Sequence, residues 1–122
     1  MEKLTSSRLP RPAGPYSHLA VAAGLVFTAG FGPQDPQTGA VPEGVEAQTE
    51  AVIRNVERAL GEVGLGLSHV VKVTAHLADL ADFEAYNEVY RRMFPEPYPV
   101  RTTVGSRLGG ILVEIDVVAA LP

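Results

Sequence analysis

Apolar positions in this chain recur with two different periods, and the switches between them mark out its elements. At the C-terminal end Ile111, Val113, Ile115, Val117 and Ala119 share one side of an extended segment, while Leu112, Glu114, Asp116, Val118 and Ala120 share the other. That period of two predicts a strand from Ile111 to Ala120, just after the Gly109-Gly110 break. The same period over 70–77 puts Val71, Val73, Ala75 and Leu77 on one face and Lys72, Thr74 and His76 on the other. His18 to Ala23 and Leu25 to Gly30, parted by Gly24, predict a hairpin, and Arg101 to Val104 a short strand. From Val45 the period lengthens. Val52, Ile53, Val56, Ala59, Leu60 and Val63 then predict an amphipathic helix of about five turns, with Gly64 as its C-cap. Asp79 and Asp82 favour a second helix start. Phe83, Tyr86, Asn87, Tyr90, Met93 and Phe94 fall on one face of that helix, and Pro95 ends it.

With an edge strand around Glu2–Thr5, the order predicts one α+β domain over residues 1–122. Two helices pack on one face of a mixed sheet of about five or six strands. The last strand sharpens this picture. One of its faces is wholly apolar and meets the helices; the other is mostly apolar yet carries Glu114 and Asp116. A sheet apolar on both sides is covered on both sides. A chain this short has little to spare for that, so a second copy is expected to cover the open face.

Composition removes several classes. There are no cysteines, hence no disulfide framework and no thiolate site. Ten basic and fourteen acidic residues give a net charge of -4, with only Arg91-Arg92 adjacent, so nucleic-acid binding is disfavoured. No apolar run approaches a membrane span, and the first residues lack the apolar core of a secretory signal, so the expected compartment is the cytoplasm. His18, His69 and His76 have no metal-pair spacing, and no glycine cluster matches a phosphate loop. Ser17 and Ser106 have no evident histidine base.

What remains is a small set of polar residues. Pro95, Pro97 and Pro99 stiffen an arm that delivers Arg101. Its planar fork suits a carboxylate or phosphate, or else forms an ion pair with Glu114 or Asp116. Glu114 reads either as a general base for water or as that arginine's partner. Asn87, amid aromatic residues, bonds a ligand or caps a loop carbonyl. Tyr16, presented by the Gly14-Pro15 turn, lines a pocket or packs; Tyr86 and Tyr90 read as core.

Several motifs taken together resemble a known family. AGPYSH, TAG, NVERAL, VVKVTAHLADLADFEAYNEVYRRMFPEPYPVRTTV and VEIDVVA, in that order over roughly residues 13 to 120, are similar to those of the RidA (YjgF/Rid) reactive-intermediate deaminases. The resemblance implies a chorismate-mutase-like fold and a homotrimer whose sheets pack into a central barrel. It also implies hydrolysis of short 2-imino acids and their enamine tautomers, without metal or cofactor, in clefts between subunits. Arg101 then matches the residue that holds the substrate carboxylate, and Glu114 the one that orients the attacking water. Tyr16 and Asn87 match cleft-lining positions. The chain departs from the family at Ala29-Gly30-Phe31, where many members have Ser-Gly-Gln, and at Thr103, where many have cysteine. A non-catalytic carrier or sensor of small 2-keto carboxylates would share Arg101, so Glu114 separates the two readings.

Overall fold

The computed structural model describes all 122 residues. Its strands are β1 (Glu2–Leu4), β2 (Leu19–Ala22), β3 (Leu25–Thr28), β4 (Val70–Leu77), β5 (Val100–Gly105) and β6 (Val113–Ala120). They form one sheet in the order β1-β2-β3-β6-β4-β5, antiparallel throughout except for the parallel pair β4 and β5. Helices α1 (Val45–Gly61) and α2 (Phe83–Met93) pack against each other, and α1 lies on β6 and β3. The α+β expectation of two helices backing a mixed sheet therefore holds, with six strands.

The core lies between the helices and one sheet face. Val52, Ile53, Val56, Ala59 and Leu60 of α1 are fully buried, as are Val113, Ile115 and Ala119 of β6, with Val117 nearly so. Each such Val, Leu or Ile contributes about 1.5–3 kcal/mol relative to an exposed position. The alternate residues Glu114, Asp116, Val118 and Ala120 are only half-buried, because no helix covers that side.

Two local features differ from the sequence reading. Val71, expected to share a face with Val73, Ala75 and Leu77, is 47% exposed while those three and Val70 are buried. Val70 pairs with Ala119 and Lys72 with Val118, so Val71 is the extra residue of a β-bulge and is turned outward. Residues 1–15, whose proline and serine content predicts an extended arm, are also pinned to the fold. Leu9 is buried, and His18, 1% exposed, pins the arm. Its Nδ1 accepts from the Ser6 N–H at 3.1 Å and its Nε2–H donates to the Pro10 carbonyl at 2.7 Å, which fixes the neutral Nε2–H tautomer.

Buried polar side chains of α1 hold the loop between β3 and the helix. The Asn55 amide donates to the Gly32 and Gln34 carbonyls, both at 2.9 Å. Gln48 donates to the Pro42 carbonyl and accepts from the Leu112 N–H at 2.8 Å. Phe31 exchanges two backbone bonds with Ile115, at 2.8 and 3.1 Å. Together these contacts lay Ala29-Gly30 beside β6.

Candidate active site

Glu114 occupies the open face of β6. A cavity of about 690 Å³ there is lined by Glu114, Gly30, Ala29, Tyr16, Phe27 and Lys3, among others. Gly30 is needed for the approach, since a Cβ at that position would stand 3.0 Å from both Cδ and Oε2 of Glu114. Ala29 adds only a methyl group to this wall. Tyr16 is 46% exposed, and its hydroxyl accepts from the Ala13 N–H at 3.0 Å, so the ring is tethered to the arm.

Arg101 sits on β5, the sheet's edge strand, and faces the helices. Its guanidinium carbon lies 4.6 Å from the Tyr90 ring centroid, 5.2 Å from Tyr86 and 5.7 Å from Phe83. Three aromatic rings thus hold the cation, which also acts on the Tyr86 hydroxyl, and no carboxylate occupies its fork. The chain's ion pairs are Arg8 with Glu62, Arg54 with Glu57 and Arg91 with Glu88; Arg101 has none. Beside it is a cavity of about 320 Å³ lined by Asn87, Tyr90, Arg91, Tyr98, Pro99 and Arg101.

Thr103 lies two residues on, on the same face. Its hydroxyl is 3.2 Å from the Tyr86 hydroxyl and is therefore already engaged. Burial raises the Tyr86 phenol above its ordinary range, a shift opposed by the Thr103 hydrogen bond and the Arg101 charge. Backbone groups of β5 matter as well. The Ser106 N–H donates to the Leu77 carbonyl at 2.9 Å. Alternation along a parallel strand then turns the N–H groups of Arg101 and Thr103 away from β4, toward the open edge.

The register decides whether the two polar halves meet. Arg101 pairs with Val73 and shares its face with the core residue Val117; Glu114 pairs with His76 on the opposite face. Within one chain the sheet separates them. The ion pair of Arg101 with Glu114 or Asp116, one of the two readings of the sequence, is therefore absent, because residues of opposite parity point to opposite sides.

The other sequence-predicted positions divide between the halves. Tyr16, Ala29 and Gly30 stand with Glu114, and Asn87 with Arg101. Asn87 caps no loop carbonyl, since the side-chain bonds nearby are those of Tyr86 with Thr103 and of Tyr98 with the Arg91 carbonyl. Phe31, expected to line the substrate site, does not. It is 4% exposed and stacks on His18 at 5.7 Å, because its strand position points it to the helix side with Ile115.

Ser106, read as lacking a histidine, has one: its hydroxyl is 2.7 Å from His76 Nδ1. The pairing of β4 with β5 creates that contact across thirty residues, and it lines neither cavity. Sequence reading also missed Gln48 and Asn55, whose polar character on a helix gives no sign that they face loop carbonyls. No group of three or more His, Cys, Asp or Glu side chains is placed to hold a metal ion, and no helix is long and apolar enough to cross a membrane.

Two helices behind a six-stranded mixed sheet, with an unpaired arginine on its edge and a glutamate on its open face, define a small α+β protein of the YjgF/RidA type. The chain belongs to that family: the profile described as Endoribonuclease L-PSP matches residues 6–121. A RutC family protein of Pyrococcus abyssi is 41% identical over 97% of this chain and 95% of its own. Reactive Intermediate Deaminase A, chloroplastic, of Arabidopsis thaliana is 42% identical over 98% of this chain and 66% of its own. Among solved structures, Escherichia coli TdcF with bound serine superposes with a TM-score of 0.93 at 32% identity, over all of both chains.

Proposed function

We propose that this protein hydrolyses short 2-imino acids, and their enamine tautomers, to 2-keto acids and ammonia. The reaction takes place in clefts between copies of the chain in a homotrimer and needs neither metal nor cofactor. The observation that carries the reading is Arg101: a guanidinium fixed on three aromatic rings, without an acidic partner, at the wall of a cavity sized for a small anion. Two related facts support it. Relatives include a reactive intermediate deaminase, and TdcF binds serine, a small molecule with a carboxylate next to a nitrogen-bearing carbon.

Because one chain holds Arg101 and Glu114 on opposite faces, the complete site takes Arg101 from one copy and Glu114 from its neighbour. The open face of β6, apolar apart from its two carboxylates, and the unpaired edge of β5 are the surfaces such an assembly would cover. In the closed cleft Arg101 grips the substrate carboxylate through two charge-assisted bonds, which orients C2. Glu114 holds a water and takes its proton as oxygen adds to C2. The resulting tetrahedral adduct receives that proton on nitrogen. The C–N bond then breaks as the hydroxyl proton passes to the freed Glu114 carboxylate, which yields ammonia and the keto acid, and the proton leaves with ammonia as ammonium. The Thr103 N–H, turned to the open edge, completes the water's hydrogen bonds. The iminium is already electrophilic, so orientation and one base suffice.

The family profile's description mentions an endoribonuclease. A net charge of -4, with Arg8, Arg54 and Arg91 in ion pairs, favours the deaminase reading over RNA binding. The deciding experiment couples an amino acid oxidase to a trap for free imine and measures keto acid formation. Added protein should accelerate it, and Arg101→Ala should remove the acceleration. No acceleration with any small imino acid would end this reading. A carrier or sensor would instead keep binding carboxylates and be indifferent to Glu114→Gln.

A further inference from the structure

Tyr90, one of the residues that line the cavity beside Arg101, carries a polar atom that nothing in the chain accounts for. Tyr90 is 6% exposed, and its hydroxyl is the only buried side-chain nitrogen or oxygen atom without a hydrogen-bond partner. Buried hydroxyls are nearly always satisfied, because leaving one unpaired costs about 1–3 kcal/mol. The fold had other choices here. Tyr90 neighbours two more tyrosines, and both of their hydroxyls are taken: Tyr86 by Thr103 at 3.2 Å and Tyr98 by the Arg91 carbonyl at 3.4 Å.

The ring itself cannot turn away. It is held between the Arg101 guanidinium, 4.6 Å from its centroid, and the Phe94 ring, stacked at 4.4 Å. The residue therefore stays in the wall that Asn87 and Arg101 share, with its buried hydroxyl unpaired behind it.

We propose that the Tyr90 hydroxyl donates a hydrogen bond to the carboxylate that Arg101 grips, which makes Tyr90 a specificity-determining residue for small 2-imino and 2-keto acids. The inference rests on the deaminase reading and extends it. Burial, reinforced by the neighbouring Tyr86, raises the phenol above its ordinary range, so the group remains a donor at any physiological pH. A wall that joins a guanidinium to a permanently protonated hydroxyl accepts an anion with free lone pairs. It binds the amide or ester of the same acid more weakly, because neither offers the guanidinium a negative charge and two equivalent oxygens.

Tyr90→Phe isolates the hydroxyl, since it keeps the ring on which Arg101 and Phe94 stack. Calorimetric titration with 2-oxobutanoate, and with its amide, would be run on the wild type, Tyr90→Phe and Arg101→Ala. Thermal unfolding without ligand would accompany it. The expected result is that Tyr90→Phe unfolds at the same or a higher temperature, because an unmet donor is gone. It should bind the acid about tenfold or more weakly, narrow the gap between acid and amide, and show a raised KM with little change in kcat. Unchanged affinity in Tyr90→Phe, with a wild type that binds and an Arg101→Ala that does not, would overturn this inference alone. A lower unfolding temperature would overturn it too, by showing that the hydroxyl has a partner within the fold. If the wild type binds no small carboxylate at all, both this inference and the reading of the Arg101 cavity fall together.

Discussion

Gly30 lies against the carboxylate of Glu114, so closely that a Cβ there would come within 3.0 Å of Cδ and Oε2. The contact is with the end of a side chain rather than with backbone, so the fold can absorb a methyl group while the carboxylate cannot stay where it is. Gly30→Ala should leave unfolding almost unchanged and lower kcat about tenfold or more, because a displaced base no longer aligns the water. Matched circular dichroism melts and imine-hydrolysis rates would check it. Unchanged turnover would mean that the position of Glu114 does not matter.

The opposite facing of Arg101 and Glu114 gives a direct test of a shared site. Arg101→Ala and Glu114→Gln should each be nearly inactive alone. Mixed in equal amounts, dissociated and reassembled, half of the arginine walls and half of the glutamate walls are intact. About one cleft in four then regains both groups, and activity should recover to roughly a quarter of wild type. If the mixture stays as inactive as its components, both residues do not act across copies.

Much of this was legible because the period of two is unambiguous where β-branched residues alternate. Val113, Ile115, Val117 and Ala119 are buried as the pattern requires, and Pro95 stops α2 at Met93. Parity along one strand also placed Glu114 on the open face. Relations between strands were not legible. Nothing in the sequence says that Arg101 aligns with Val73 and thus faces the helices, since that depends on the parallel register of β4 and β5. The same register hid the His76–Ser106 contact. The bulge at Val71 was invisible for another reason: Val70 and Val71 are chemically identical, and only the shift in pairing decides which one is buried. Phe31 was carried to the site by family position alone, and its bridge to Ile115 turns it into the core.

Asp116 yields a pH prediction. It is half-buried on the open face of β6, and burial raises its carboxyl above the ordinary value; His76 and Lys72 on β4 pull it down without cancelling the shift. A carboxyl with a raised value in the folded chain holds its proton more tightly there than in the unfolded chain. Stability therefore falls as pH rises from the unfolded value of 3.8 through the folded one, and the loss persists above it. Asp116→Asn should match the wild type in acid and be the more stable form at neutral pH, in melts across that range. A neutral-pH gap of the opposite sign would show that the ionised carboxylate has a favourable partner.

The last prediction concerns the arm that carries Tyr16 to the Glu114 cavity. His18 satisfies the Ser6 N–H and the Pro10 carbonyl at once and stacks on Phe31. His18→Phe keeps an aromatic ring for that stack but can meet neither backbone group, leaving a donor and an acceptor without their partner. The expected cost is about 2–4 kcal/mol, read as a lower midpoint in denaturant at fixed protein concentration. The arm should also open first, so limited proteolysis should cut before residue 18 in the variant under conditions that leave the wild type whole. A variant equally resistant to protease would mean that Leu9 and the Arg8–Glu62 pair hold the arm without help from the histidine.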